Sequence, residues 1–241
     1  MNVPVRESLR LLIAAWTLVA VGCSRPAASA GGARASDHDR AVEELADATQ
    51  VIDEMNRIAR RHREQARCVA VIPSLVRAGF IVGGRHGDGV VSCRTPSGWS
   101  APAFITVSGG GAGLLLGVES SDVVMLVMTD RAQAQLFRSS FALGADASAS
   151  AGPVGEAAEV GTDASMKAEV LSYARSRGLF AGAELTGAVV EQDADALMAT
   201  YGPTPDVHAI LAGDVARPRE GAGFLARFST AFPVASAVNP R

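Results

Sequence analysis

Three groups of residues in this chain have the types that metal, phosphate or nucleophilic chemistry would need. The first is the glycine run Ser108-Gly109-Gly110-Gly111-Ala112-Gly113. A phosphate loop also needs Gly-Lys-Ser/Thr leading into a helix N-terminus, whereas the strand-like Leu114-Leu115-Leu116-Gly117-Val118 follows here. Nucleotide binding is therefore not expected. The second group is the four histidines His38, His62, His86 and His208, which are scattered, with no pair at ligand spacing and no HExxH. The third is Glu191, Asp193 and Asp195, which alternate but lack the glycine and the twelfth-position Glu of a calcium loop, and which read as a solvated helix start. No G-x-S-x-G elbow occurs, and no nucleophile, base and orienting group stand together. The expectation is a non-enzymatic protein with no catalytic residue, no metal site and no cofactor.

The remaining chemistry is charge and sulfur. Arg57, Arg60, Arg61 and Arg63, with Arg67, crowd the second half of an amphipathic stretch whose first half carries Asp37, Asp39, Glu43, Glu44 and Asp47. That order suits a helix dipole and is compatible with a plain solvated face. The sharper alternative is a surface for anionic lipid headgroups, to which each basic residue contributes about 1 kcal/mol. Cys68 and Cys93 fall on two neighbouring strand-like runs. In an oxidising compartment they form a disulfide worth about 3 kcal/mol, and in a reducing one they are two buried thiols.

The N-terminus is read as an address. Arg6 and Arg10 precede the apolar run at residues 11–21, which is too short to cross a bilayer, since crossing takes about 20 residues. Val19-Ala20-Val21-Gly22-Cys23 resembles a lipobox, with Cys23 the residue to be acylated after cleavage of residues 1–22. Ala28-Ser29-Ala30 is a competing signal-peptidase site, which would give a soluble periplasmic or secreted protein. Ser24, rather than Asp, points an acylated form to the outer membrane, facing the periplasm. Residues 23–36 are small and read as a flexible tether.

These features sit on a chain of 241 residues with net charge -3, 20% charged and 48% hydrophobic residues, 25 Gly and 11 Pro. The composition excludes wholesale disorder, and the near-neutral balance with 5% aromatics argues against nucleic-acid partners. The pattern places one helix over residues 37–67, capped by Ser36, with Leu45, Ala48, Ile52, Met55 and Ile58 on one face. Short strands follow. Pro73 should end the first at Ile72, and residues 83–89 should form a glycine-rich hairpin loop. Val123-Val124-Met125-Leu126-Val127-Met128 is apolar on both faces and should be a central strand. Residues 130–136 should be helical, residues 144–162 irregular, residues 169–175 and 179–191 two strands, and residues 193–201, 206–211 and 221–232 helices. The fold class is α+β, with an N-terminal amphipathic helix, an antiparallel β-rich core and flanking helices. The domain division is a signal peptide over 1–22, the tether over 23–36, a core over 37–213, and a C-terminal helix and tail over 214–241.

From about residue 48 to 202 the sequence resembles the SYLF-domain family. The residues that carry this are Cys68-Val69-Ala70-Val71-Ile72-Pro73, Ala78-Gly79-Phe80-Ile81-Val82-Gly83-Gly84, Gly87-Asp88-Gly89-Val90 with Arg94, and Gly98-Trp99-Ser100-Ala101-Pro102. Leu143-Gly144-Ala145-Asp146, Ala151-Gly152-Pro153-Val154-Gly155, Ser172-Tyr173-Ala174-Arg175-Ser176-Arg177-Gly178-Leu179-Phe180-Ala181-Gly182 and Tyr201-Gly202 complete the series. The resemblance implies a lipid-binding module whose eukaryotic members bind phosphoinositides, yeast members also actin. Its headgroup contacts map to Arg57, Arg60, Arg61 and Arg63. In a bacterial envelope the partners would be anionic phospholipids or an envelope protein. Trp99 and Phe180 read as core, and Gly152-Pro153 and Gly178 as turn formers.

Overall fold

Two long antiparallel strands, β1 (Cys68–Phe80) and β2 (Val82–Thr95), are the spine of the fold. We describe the protein from a computed structural model. It describes residues 30–53, 58, 60–80, 82–112, 117–152, 168–176, 179–182 and 185–233, and the described residues from Arg34 onward form one compact unit. Residues 1–22, read above as a signal peptide, Cys23 and Arg57 lie outside the described residues. So do Met55 and Gly178, and nothing is described of the Phe180 side chain.

The other described strands are β3 (Gly98–Trp99), β4 (Ala103–Ala112), β5 (Gly117–Val127), β6 (Ser140–Ala142), β7 (Ala149–Ala151), β8 (Val170–Ser176), β9 (Leu179–Gly182) and β10 (Val189–Gln192). They join in the order β6-β10-β4-β2-β1-β5-β8-β7, with β3 on β2 and β9 on β8. All the pairings are antiparallel except β7 with β8. Helices α1 (Ala30–Asp53), α2 (Arg60–Gln65), α3 (Asp130–Leu136), α4 (Ala194–Tyr201), α5 (Val207–Ala212) and α6 (Ala222–Ala231) flank it. The class is α+β, as the sequence implied.

Val123 to Val127 lies between β1 and β8 with every side chain buried, as a doubly covered strand must. Asp130–Leu136 is the expected helix, capped by Thr129. Asp193 and Asp206 cap α4 and α5, each accepting two backbone N–H bonds. Asp193 is thus a structural cap in the alternating carboxylate group.

Several expectations fail, each for a physical reason. Residues 37–67 are not one helix: α1 begins at Ala30, inside the stretch read as tether, and a separate short α2 begins at Arg60. Ser36 therefore lies within α1 and is not its cap. Residues 179–191 are two strands on opposite sides of the sheet, β9 beside β8 and β10 between β4 and β6. Ala149–Ala151 forms a strand inside the stretch read as irregular. The glycines of residues 83–89 and 109–111 lie within strands β2 and β4, not in loops.

Pro73 does not end β1. The strand continues through a bulge, since the β2 register jumps from Val71↔Val90 to Val76↔His86. Proline has no N–H to give to a ladder, so in an interior strand it is confined to such a bulge. Ser74, at φ 56, turns the chain, and its N–H is satisfied by the Asp122 carboxylate at 3.1 Å. The opposing β2 glycines make room. A Cβ on Gly89 would lie 2.7 Å from the Val71 carbonyl oxygen and from Ile72, and one on Gly87 would lie 3.0 Å from Ile72 and from Leu75.

Replacing Gly89 by Ala should therefore overpack the bulge. The expected loss is about 1–3 kcal/mol of unfolding free energy in a denaturant titration. An unchanged midpoint would show that the bulge is not closed against β2.

Candidate functional site

The basic shoulder of the molecule is built on α2, and what positions it is a single guanidinium. Arg94, near the end of β2, donates from Nε to the Ala66 carbonyl at 2.6 Å and from Nη2 to the Arg63 carbonyl at 2.9 Å. Those carbonyls belong to the C-terminal turn of α2, where a cation also meets the negative end of the helix dipole. The same Nη2 reaches the Pro233 carbonyl at 3.1 Å, beyond α6. Below it, the guanidinium carbon lies 4.5 Å from the Trp99 ring centroid. Burial lowers the Arg94 pKa from its ordinary value, an effect that the neighbouring Glu64 opposes.

Trp99 extends the same knot. Its indole N–H donates to the Phe232 carbonyl at 3.0 Å, and its ring meets Phe228 edge-on at 4.7 Å between centroids. Phe224, Phe228 and Phe232 are fully buried, so α6 is part of the core and not an appendage. Trp99 is a core residue, as its apolar context implied.

Two more devices fix α2. Arg67 donates its N–H to Val127 O and accepts from the Arg94 N–H, both at 2.7 Å, which binds the α2–β1 connection to β5 and β2. At this end of β1, Cys68 and Cys93 stand directly opposite and are joined by a disulfide. His62 is buried beneath α2, with Nδ1 3.1 Å from the Tyr173 hydroxyl. Burial, then the nearby Arg61, lowers the His62 pKa, and burial raises that of Tyr173. Gly152 is needed here for space rather than for a positive φ: a Cβ on it would lie 2.1 Å from the Tyr173 ring.

The basic residues singled out by sequence separate on this frame. Arg60 and Arg61 are exposed, and Arg60 pairs with Glu64 at 2.6 Å. Arg63 turns inward. It donates to the Ile58 carbonyl at 3.1 Å and to the Ala231 carbonyl at 2.6 Å, and burial lowers its pKa. It ties α2 to α6 and is not presented to a headgroup. Arg67, not among the headgroup residues, is exposed and pairs with Asp130 at 3.2 Å. Beside it, Arg131 makes a two-pronged bond to Glu169, which lowers the Glu169 pKa to about 2. Sequence reasoning missed the central role of Arg94, whose neighbours in the chain carry no sign of a helix terminus packed on it.

Among the described residues, no group of three His, Cys, Asp or Glu is placed to hold a metal, and no helix is long and apolar enough to cross a membrane.

Arg94→Met should destabilise the protein by about 2–4 kcal/mol, because three carbonyls lose a charged donor. Arg94→Lys should recover little of this, since one ammonium cannot span the same fork. Chemical denaturation of both variants checks the claim, and a lysine variant at wild-type stability would refute it. Reduction of Cys68–Cys93 should lower stability by about 3 kcal/mol, read as a drop in the denaturation midpoint under reductant.

The family described as Ysc84, Las17-binding protein actin regulator, matches residues 108–231, just over half of the chain. LAS seventeen-binding protein 3 of Saccharomyces cerevisiae is 36% identical over 159 residues, covering 64% of this chain and 34% of that protein. SH3 domain-containing YSC84-like protein 1 of Bos taurus is 36% identical over 158 residues, covering 65% of this chain and 46% of the bovine protein. The human counterpart is 35% identical over the same length and share. The chain thus matches between about a third and a half of the length of these curated relatives, and the family description and the yeast protein's name speak of binding. Residues 108–231 run from β4 through α6, over much of the sheet and the helix that seals Trp99, and on that match the chain belongs to the Ysc84 family of SYLF-domain proteins.

Proposed function

We propose that this chain is a membrane-tethered bacterial envelope protein whose SYLF domain binds anionic phospholipid without catalysis. The observation that carries the reading is the outward face of α2. Arg60 and Arg61 are held at the surface by a helix that cannot swing away, because Arg94, Arg63, His62 and the Cys68–Cys93 bond fix its other sides. Arg67 extends the face towards α3. Pre-positioned cations lose little conformational entropy on meeting phosphate, and each is worth about 1 kcal/mol at an anionic surface. The basic segment, short apolar run and lipobox-like Cys23 support attachment to the outer membrane through acyl chains, facing the periplasm. Arg57, outside the described residues, and Arg63 are not needed by this reading.

A second reading has its own support. Glu64 and Asp130 already pair with Arg60 and Arg67, and the family description and a yeast relative's name both speak of binding a protein. On that reading the acyl chains supply attachment and the α2 face docks an envelope protein.

Vesicle flotation of the full chain separates them. Neutral phosphatidylcholine vesicles are compared with vesicles containing phosphatidylglycerol or cardiolipin, at low and high salt. The first reading expects a preference for anionic vesicles that salt abolishes and that Arg60→Glu with Arg61→Glu reduces by about tenfold. Equal flotation with both vesicle types, unchanged in the double variant, would transfer the α2 face to the second reading.

A further inference from the structure

A second charged feature lies on the opposite side of the chemistry from the α2 shoulder. Between α1 and the Pro73 bulge is a cleft of about 300 Å³. Its walls are Arg40, Glu43, Glu44 and Asp47 from α1, His86, Gly87 and Asp88 from β2, and Pro73, Ser74 and Val76 from β1. Glu44 is the unusual member. It is only 8% exposed, and neither carboxyl oxygen has a hydrogen-bond partner. A buried carboxyl left without a partner is costly, and a native fold that retains one calls for an explanation.

The cleft's guanidinium, Arg40, lowers the Glu44 pKa but is outweighed by burial and by Asp88 and Asp193. Arg40, one turn before Glu44 on α1, is directed to Asp193 at 3.4 Å and to Asp37 at 3.9 Å. Asp88 accepts from the Thr106 hydroxyl at 3.0 Å and faces the same cleft. The groups facing Glu44 are thus Arg40, Glu43 and Asp47 on α1, His86 and Asp88 on β2, and Asp193 before α4, with carboxylates in the majority. Burial, then Asp88 and Asp193, pushes the Glu44 pKa up to about 8. No three of these groups meet in a metal-ligating arrangement. A compact metal shell is therefore not what the cleft offers. Its acceptors are spread out and alternate with the apolar surfaces of Pro73 and Val76.

We propose that this cleft is a binding site for a primary ammonium group, with Glu44 as the ion-pair partner and Asp88 as a second acceptor. An ammonium has three donors that reach acceptors spaced more widely than a metal allows, and its methylenes suit Pro73 and Val76. Binding converts the Glu44 carboxylic acid to carboxylate. The proton leaves to solvent, and the cation takes its place as the partner of both oxygens. The site is independent of the α2 face, so either can fail without the other. The same chemistry is offered by a free diamine and by the headgroup of phosphatidylethanolamine.

The test uses the full chain and two probes. In titration calorimetry, 1,4-diaminobutane should bind near neutral pH with release of a proton, detected as a heat that depends on the buffer's ionisation enthalpy, and 1,4-butanediol should not bind. Glu44→Gln, close in shape to the protonated acid, should weaken binding by about tenfold or more and abolish the proton release, and Asp88→Asn should weaken it less. In flotation, vesicles of phosphatidylethanolamine are compared with phosphatidylcholine, whose quaternary nitrogen has no N–H. A preference for the former that Glu44→Gln removes identifies the lipid as the source. Diamine binding without that preference identifies a soluble amine. The proposal is overturned if neither probe binds, or if binding proceeds unchanged in both Glu44→Gln and Asp88→Asn.

Discussion

The fold hangs on one half-buried cation. Arg94 gathers carbonyls from the end of α2 and from the chain beyond α6, and lies over Trp99 while doing so. Three segments far apart in sequence thereby share one donor group. A lysine or an apolar residue could not substitute, because the carbonyls lie in different directions and only a planar fork with several N–H groups reaches them all. The disulfide at Cys68–Cys93 fixes β1 to β2 one residue from this point, and His62 with Tyr173 holds the underside of α2. A helix of six residues has little stability of its own, so the surface that α2 presents exists only because these contacts hold it.

Where the sequence was legible, the signal was local. The run from Val123 to Val127 has apolar side chains facing both ways, and only a covered strand accommodates that. The helices expected over 130–136, 193–201 and 206–211 are present, and in the fold Thr129, Asp193 and Asp206 cap them, each satisfying a helix's first free N–H groups. Glycine was the misleading letter. Gly87, Gly89 and Gly109 read as loop residues, yet all lie in paired strands where another segment of the chain approaches within about 3 Å of a would-be Cβ. Sequence shows that a residue has no side chain but not which segment fills the space. For the same reason Gly152 looked like a turn former, while its neighbour in space is the Tyr173 ring.

The charged residues show the same limit from the other side. Arg57, Arg60, Arg61 and Arg63 form one cluster in the sequence, but in the fold Arg63 points inward to Ala231 while Arg60 and Arg61 point out. Helical spacing alone could have raised this for α1: Glu44 stands three residues after Ala41 and four before Ala48, both buried, and so shares their face. A carboxylate on an apolar stripe is the sequence trace of the cleft, though it does not reveal Asp88 across from it. That pairing depends on the bulge at Pro73, which is a property of β1 against β2.

A net charge of -3 does not argue against attraction to an anionic surface, because the two poles are separated along β1. Pro73 lies five residues beyond Cys68, about 16 Å at the rise of a strand. Exposed charges that far apart are screened from one another when the screening length is about 8 Å. On the lipid-binding proposal, the α2 face would meet a membrane through Arg60, Arg61 and Arg67 and their immediate partners, and not through the sum over the chain. The cleft is screened less, since Glu44 is buried and its field is carried through protein rather than water. On the two proposals, its surplus of carboxylates would act at short range on whatever enters and the shoulder on an extended surface, and the strand between them keeps the two from cancelling.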